Sequence, residues 1–108
     1  MGFEETWLRR AFSADKLEKL NLFETRQMFC DIYCLEPTQE QAVHKHPGAT
    51  KFYYVIEGEG TFTVGEETRV LGPGGLAWTA PDELHGVVNR GADRLVLLVS
   101  MGPNPNFP

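Results

Sequence analysis

Clustered basic charge, long apolar runs, cysteine and histidine are all scarce in this chain, and each shortage excludes something. Ten lysine and arginine residues stand against 15 aspartate and glutamate residues, giving a formal net charge of −5, and the only adjacent basic pair is Arg9-Arg10. A surface that grips phosphates needs Lys and Arg gathered in one place, so nucleic acid is not an expected partner. No apolar run approaches the roughly 20 residues of a membrane-spanning helix. The acidic start Met1-Gly2-Phe3-Glu4-Glu5-Thr6 lacks the apolar stretch of a secretory leader. The expectation is therefore a protein of the cytoplasm with no membrane partner.

Only two cysteines are present, Cys30 and Cys34. In extended chain they would lie about 13 Å apart, beyond the roughly 7 Å between Cα atoms that a disulfide spans. Two free thiols fit a reducing compartment. Sharing a strand face with Met28 and Ile32, they read as small core residues.

What remains is an ordinary globular balance, 42% hydrophobic and 23% charged over 108 residues. That length supports one domain with one core. Residues 1–25 read as an N-terminal arm, with Ser13 as an N-cap and Leu17 and Leu20 on one face of a short helix over 14–20. From residue 26 the chain alternates short strands with Gly, Pro and acidic turns. Strands are expected at about 26–35, 41–46, 51–57, 60–65, 67–71, 76–80, 84–89 and 94–101, the rhythm of an all-β sandwich or barrel. Glu57-Gly58-Glu59-Gly60 joins two aromatic and β-branched runs as a tight hairpin would. The Pro-rich tail 103–108 cannot form ladder pairs and should run over the surface of the 26–102 barrel, with Phe107 as its anchor.

Histidine is scarce as well, and its placement is the most informative feature of the chain. His44-Lys45-His46 is followed 39 residues after His46 by His85, and there are no others. Two imidazoles at i and i+2 of a strand share a face about 6.6 Å apart at Cα, close enough to converge on one ion. Three such rings could form a metal-binding face.

The surrounding residues carry a resemblance. His44 and His46, followed by Tyr54, Val55, Gly58 and Gly60, match the first motif of the cupins, and Gly75, Pro81, His85 and Asn89 match the second. In that second motif the Pro-to-His interval is one residue short and Glu83 replaces the usual glycine. Residues from about 30 to 101 therefore resemble a small single-domain cupin. The resemblance implies a double-stranded β-helix (jelly-roll) barrel holding a divalent transition metal on His44, His46 and His85.

The family's usual fourth ligand is a Glu, and counting back from Gly58 places Lys51 at its position; a variant fourth His would fall on Thr50. Two arrangements stay open: Lys51 turned away, leaving three imidazoles on a metal, or Lys51 joining them in a metal-free cationic pocket for an acidic ligand. Gln41 is a candidate substitute as a weak oxygen ligand, but it lies at odd spacing from His44 and is expected to face the other side unless a bulge intervenes, in a surface or loop contact. Strand parity with Lys51 inward puts Tyr53 and Val55 on the same face, with Phe52, Tyr54 and Ile56 outward. Lys51, Tyr53 and Trp78 are the candidate substrate-binding residues, the last as a stacking wall or as barrel filling. Asn89 reads as structural, and Glu83 as a solvated carboxylate.

Three imidazoles suit Fe, Mn, Ni, Zn or Cu equally, so the ligands do not choose the metal. The resemblance implies action on, or binding of, a small oxygen-rich organic molecule, as a dioxygenase or an isomerase. The alternative is a non-catalytic small-ligand or sensor cupin, with or without metal. A homodimer is expected, because a single jelly roll leaves edges and apolar outer faces to cover. Trp7, Leu8, Phe12, Phe52, Tyr54 and the C-terminal strand are the candidate surfaces.

Overall fold

In the computed structural model, which describes residues 1–107, the described residues form one 3-10 turn and nine strands. The turn, Thr6–Arg9, is followed by β1 (Glu18–Glu24), β2 (Phe29–Leu35), β3 (Glu40–His44), β4 (Thr50–Glu57), β5 (Gly60–Val64), β6 (Glu67–Leu71), β7 (Leu76–Thr79), β8 (His85–Val88) and β9 (Leu95–Gly102). Five strands make one antiparallel sheet in the order β1-β2-β9-β4-β7, and four make the facing sheet, β3-β8-β5-β6. This is the expected all-β jelly roll.

Alternation along the strands decides what lies between the sheets. On β4, Lys51, Tyr53 and Val55 are buried while Thr50 and Tyr54 are exposed, so successive side chains divide between barrel interior and exterior as a pleated strand requires. Tyr53, Val55, Phe62, Val87, Leu95, Leu97 and Val99 form the interior core. A second cluster of Ile32, Cys34 and Val96 forms on the outer face, covered by Phe12, Leu20 and Leu22. β2 and β9 are thus buried on both faces, which is why they read as nearly unbroken apolar runs. Cys30 and Cys34 are buried and unpaired, as expected of small core residues.

Three expectations need correction. Residues 14–20 do not form a helix: Glu18–Glu24 is a strand paired with β2, from Glu18 opposite Cys34 to Glu24 opposite Phe29. Leu20 and Leu22 alternate with exposed Asn21 and pack on the outer cluster, so the period is two and not the 3.6 suggested by Leu17 and Leu20. The Ser13 hydroxyl accepts from the Asp15 amide at 3.2 Å, closing a bend in place of a helix cap.

Secondly, the segment around Gly58 is not a hairpin between paired strands. Both neighbours of β4 are already taken, by β9 and β7, so β5 crosses into the facing sheet and forms its hairpin with β6. Gly58 has φ +84°, and a Cβ there would collide with the Arg94 carbonyl oxygen, so this crossing needs glycine. Thirdly, the tail is held by Asn104 and not by Phe107, which is 40% exposed. The buried Asn104 amide donates to Glu24 Oε1 at 3.0 Å and to the Thr25 carbonyl at 2.9 Å. Pro108, the last residue of that tail, lies outside the described residues.

Candidate functional site

The three histidines converge. One ring nitrogen from each of His44, His46 and His85 lies within 4.8 Å of the others. His44, at the end of β3, is paired directly across the ladder with His85 at the start of β8. His46 lies just beyond β3, and the Asp82 amide donates to its carbonyl at 3.1 Å, tying that segment to the turn that delivers His85. Glu83 serves the same turn, accepting from the Ala80 amide at 3.1 Å. Its role here is to cap a turn. Asn89 is fully buried and structural, donating to the carbonyls of Leu35 and Asp93 and accepting from the Gly91 amide.

Backbone carbonyls set the ring orientations. His44 Nδ1 lies 2.7 Å from the Ala42 oxygen and His85 Nδ1 lies 2.9 Å from the Glu83 oxygen. A carbonyl only accepts, so each Nδ1 carries the proton and each Nε2 presents a lone pair to the centre. His44 Nε2 and His46 Nε2 are 3.0 Å apart. His85 Nε2 is buried with no hydrogen-bond partner.

Burial also disfavours the imidazolium form. It lowers the pKa of all three rings, His85 to about 4, and the charge on Lys51 adds to the shift. Neutral imidazole is the form that binds metal. A buried ring nitrogen without a partner, gathered with one ring nitrogen from each of two other imidazoles, fits a divalent transition ion, and His44, His46 and His85 are the residues that would hold it.

At the fourth corner the structure settles the orientation of Lys51 that the sequence left open. Lys51 is not turned away; it is 2% exposed and points inward on β4. Its Nζ donates to Gln41 Oε1 at 3.1 Å. The same oxygen accepts from Tyr53 Oη at 2.5 Å, and Gln41 Nε2 donates to Tyr33 Oη at 3.3 Å.

Gln41 is therefore not a surface contact, and the reason is a β-bulge. Gln41 pairs with Val87 and His44 with His85, so three steps along β3 match two along β8. The extra residue reverses the phase and brings Gln41 to the same side as His44. Room for the bulge comes from Gly86, where a Cβ would lie 2.9 Å from the Gln41 oxygen and 3.0 Å from the Val43 Cα and N atoms. That His85-Gly86 pair is the one sequence signal that could have exposed the bulge. Tyr33, which the sequence reading did not single out, enters the site through Gln41.

Burial pushes the Lys51 pKa down to about 7, with Lys19 adding to the shift and Asp31 opposing it. It pushes the Tyr33 phenol up to about 12 and Tyr53 higher still. Both phenols therefore stay protonated at neutral pH and are not bases; Tyr53 donates to Gln41 and Tyr33 accepts from it. Trp78 does not join Lys51 and Tyr53. On β7 its neighbours Ala77 and Thr79 take the buried face, leaving Trp78 60% exposed on the other side. It borders a separate groove with Leu76, Phe62 and Arg69.

The comparisons with known proteins agree with this geometry. A family model described as a cupin domain matches residues 31–101. The chain is 37% identical to TT1209 from Thermus thermophilus, whose crystal structure superposes with a TM-score of 0.94 over 97% of this chain and 100% of that one. It is 23% identical to an uncharacterized conserved protein with a double-stranded β-helix domain from Klebsiella pneumoniae, covering 95% of this chain and 90% of that one with a TM-score of 0.88. It is 21% identical to a predicted oxalate decarboxylase from Thermotoga maritima, covering 85% and 96% with a TM-score of 0.73. The likeness to the last two concerns the fold. No curated protein matches the sequence. With the motif histidines gathered inside a jelly roll, and a family model spanning most of the barrel, the chain belongs to the cupin family.

Proposed function

We propose that this protein is a metal-binding cupin that binds and transforms a small oxygen-rich organic molecule at a centre held by His44, His46 and His85. The observation that carries the reading is the buried, partnerless Nε2 of His85, gathered with two other ring nitrogens. A divalent ion bound there would supply Lewis acidity or, as Fe, Mn, Ni or Cu, a place for dioxygen chemistry. The chain's own contribution is positional. The Ala42 and Glu83 carbonyls orient two of the rings, and Gln41 aligns the Lys51 amine and the Tyr53 hydroxyl beside them.

A second reading, a non-catalytic small-ligand or sensor cupin, is favoured by one feature, the buried Lys51 at the corner where the resemblance places an acidic ligand. Oxygen uptake and product analysis separate the two. Iron-loaded protein is offered diketones, catechols and thiol acids. Turnover that disappears in His85→Ala supports the enzyme. Saturable binding without turnover selects the binding module, and neither binding nor turnover contradicts both.

The reading includes cytoplasmic residence, supported by the two unpaired thiols, and a homodimer. Exposed Trp7, Leu8, Tyr54 and Trp78 supply apolar surface for a second copy. Sedimentation as a monomer at micromolar concentration would count against the dimer.

A further inference from the structure

The cavity in front of the histidines has a volume of about 490 Å³. Its lining includes Lys19 and Lys51, with Asp31, Tyr33 and Gln41, beside His44 and His46. Two of the ten basic residues of an acidic chain thus face one cavity. The ion pairs among the described residues are made by Arg9, Arg10, Arg69 and Arg94, and neither lysine takes part in one. Among the described residues Asp31 is the one carboxylate in the lining, and it accepts from Asn21 Nδ2 at 2.8 Å.

Lys51 is surrounded by groups that welcome a cation without neutralising it. Its amine donates to the neutral oxygen of Gln41 and lies 4.9 Å from the Tyr53 ring centroid and 5.6 Å from that of Tyr33. The Lys19 amine is 5.4 Å from the same Tyr33 centroid. A buried ammonium needs a counter-charge. Among the described residues none is in contact, but an anionic ligand in the cavity would supply it. The two ammonium groups, set against the Asp31 carboxylate, leave a net single positive charge that matches a single negative charge, and among the described residues no arginine lines the cavity to clamp a dianion.

We infer that the cavity selects small organic carboxylates, with Lys51 donating to a carboxylate oxygen beside the three-histidine centre. The inference deepens the function proposed above and rests on it for the metal, but the Lys51 contact does not require the metal to be present.

The test is calorimetric titration of pyruvate, oxalate and succinate, with uncharged pyruvamide and inorganic phosphate as comparisons, into metal-free and zinc-treated protein. At least one carboxylate should saturate the wild type, and pyruvamide should bind about tenfold more weakly than pyruvate, the scale of one charge-assisted hydrogen bond. Lys51→Met should lose about tenfold in carboxylate affinity while leaving zinc uptake in place. Lys51→Glu should lose carboxylate binding and retain zinc, which keeps the test valid if one variant folds poorly. Failure of zinc to bind would sink the metal reading alone, because the metal-free titrations still decide the lysine's role. The inference is overturned if no carboxylate saturates, if phosphate binds more tightly than all three, if pyruvamide equals pyruvate, or if Lys51→Met binds carboxylates like the wild type.

Discussion

A lysine amine with 2% exposure resists carrying its charge, and this resistance can be read from the pH dependence of stability. Burial lowers the Lys51 pKa from 10.5 to about 7 in the folded chain. Between those values the unfolded chain holds a proton that the folded chain has released, so raising the pH across this window stabilises the fold. Below about pH 7 both states are protonated and the full cost of the buried charge is present. Lys51→Met should remove the rise between pH 7 and 10.5, measured by urea unfolding of metal-free protein at several pH values. An identical slope in wild type and variant would show that the amine is solvated in the folded state. At this scale much of the site was legible: histidine spacing marked His44, His46 and His85, and strand parity, with Lys51 taken inward from the resemblance, put Tyr53 and Val55 on its face. The outward turn of Trp78 was not read, because a tryptophan satisfies either face of an edge strand and only the burial of Ala77 and Thr79 decides between them.

Among the elements, the bulged β3 does more than any other to shape the site. It carries Gln41 and His44 to the same side of the barrel, and it presses against Gly86 of β8. A side chain at position 86 would have to displace backbone atoms of Gln41 and Val43 that lie within 3.0 Å of its Cβ. Gly86→Val should therefore cost about 1–3 kcal/mol, the range for overpacking a filled site, and should weaken metal uptake because His44 moves with β3. Thermal unfolding and zinc titration check this; wild-type values in both would mean that β3 shifts without effect on the centre. Bulges, crossings and the period of a short arm are where sequence reading stopped. Counting residues assumes an unbroken strand, so one inserted residue sent Gln41 to the wrong face. Leu17 and Leu20 fit a helical spacing while Leu20 and Leu22 fit an alternating one, and the uncovered cluster of Ile32, Cys34 and Val96 selected the strand. β4 and β5 look like a hairpin until β9 and β7 are seen to occupy both edges of β4.

At the scale of the whole molecule, the barrel converts scattered polar residues into one centre. Residues 41 to 53 and His85 come from both sheets, and the jelly-roll crossings put Gln41, His44, His46 and Lys51 in the lining of one cavity, with Tyr53 bonded to Gln41 and His85 paired with His44 behind it. The fold class was legible because strand rhythm and two glycine-marked motifs run in order over most of the chain. How Lys51 sits at the fourth corner was not, since that depends on a network of Gln41, Tyr33 and Tyr53 assembled from three strands. Long-range packing also explains why three imidazoles are kept neutral in a protein whose surface is acidic. The claim on which the account depends is that these rings hold a metal. Elemental analysis of protein purified without chelators tests it most directly: the account predicts close to one equivalent of a transition metal, absent from a His44→Ala, His46→Ala, His85→Ala triple variant. Less than about a tenth of an equivalent in the wild type, with none taken up on reconstitution, would contradict it.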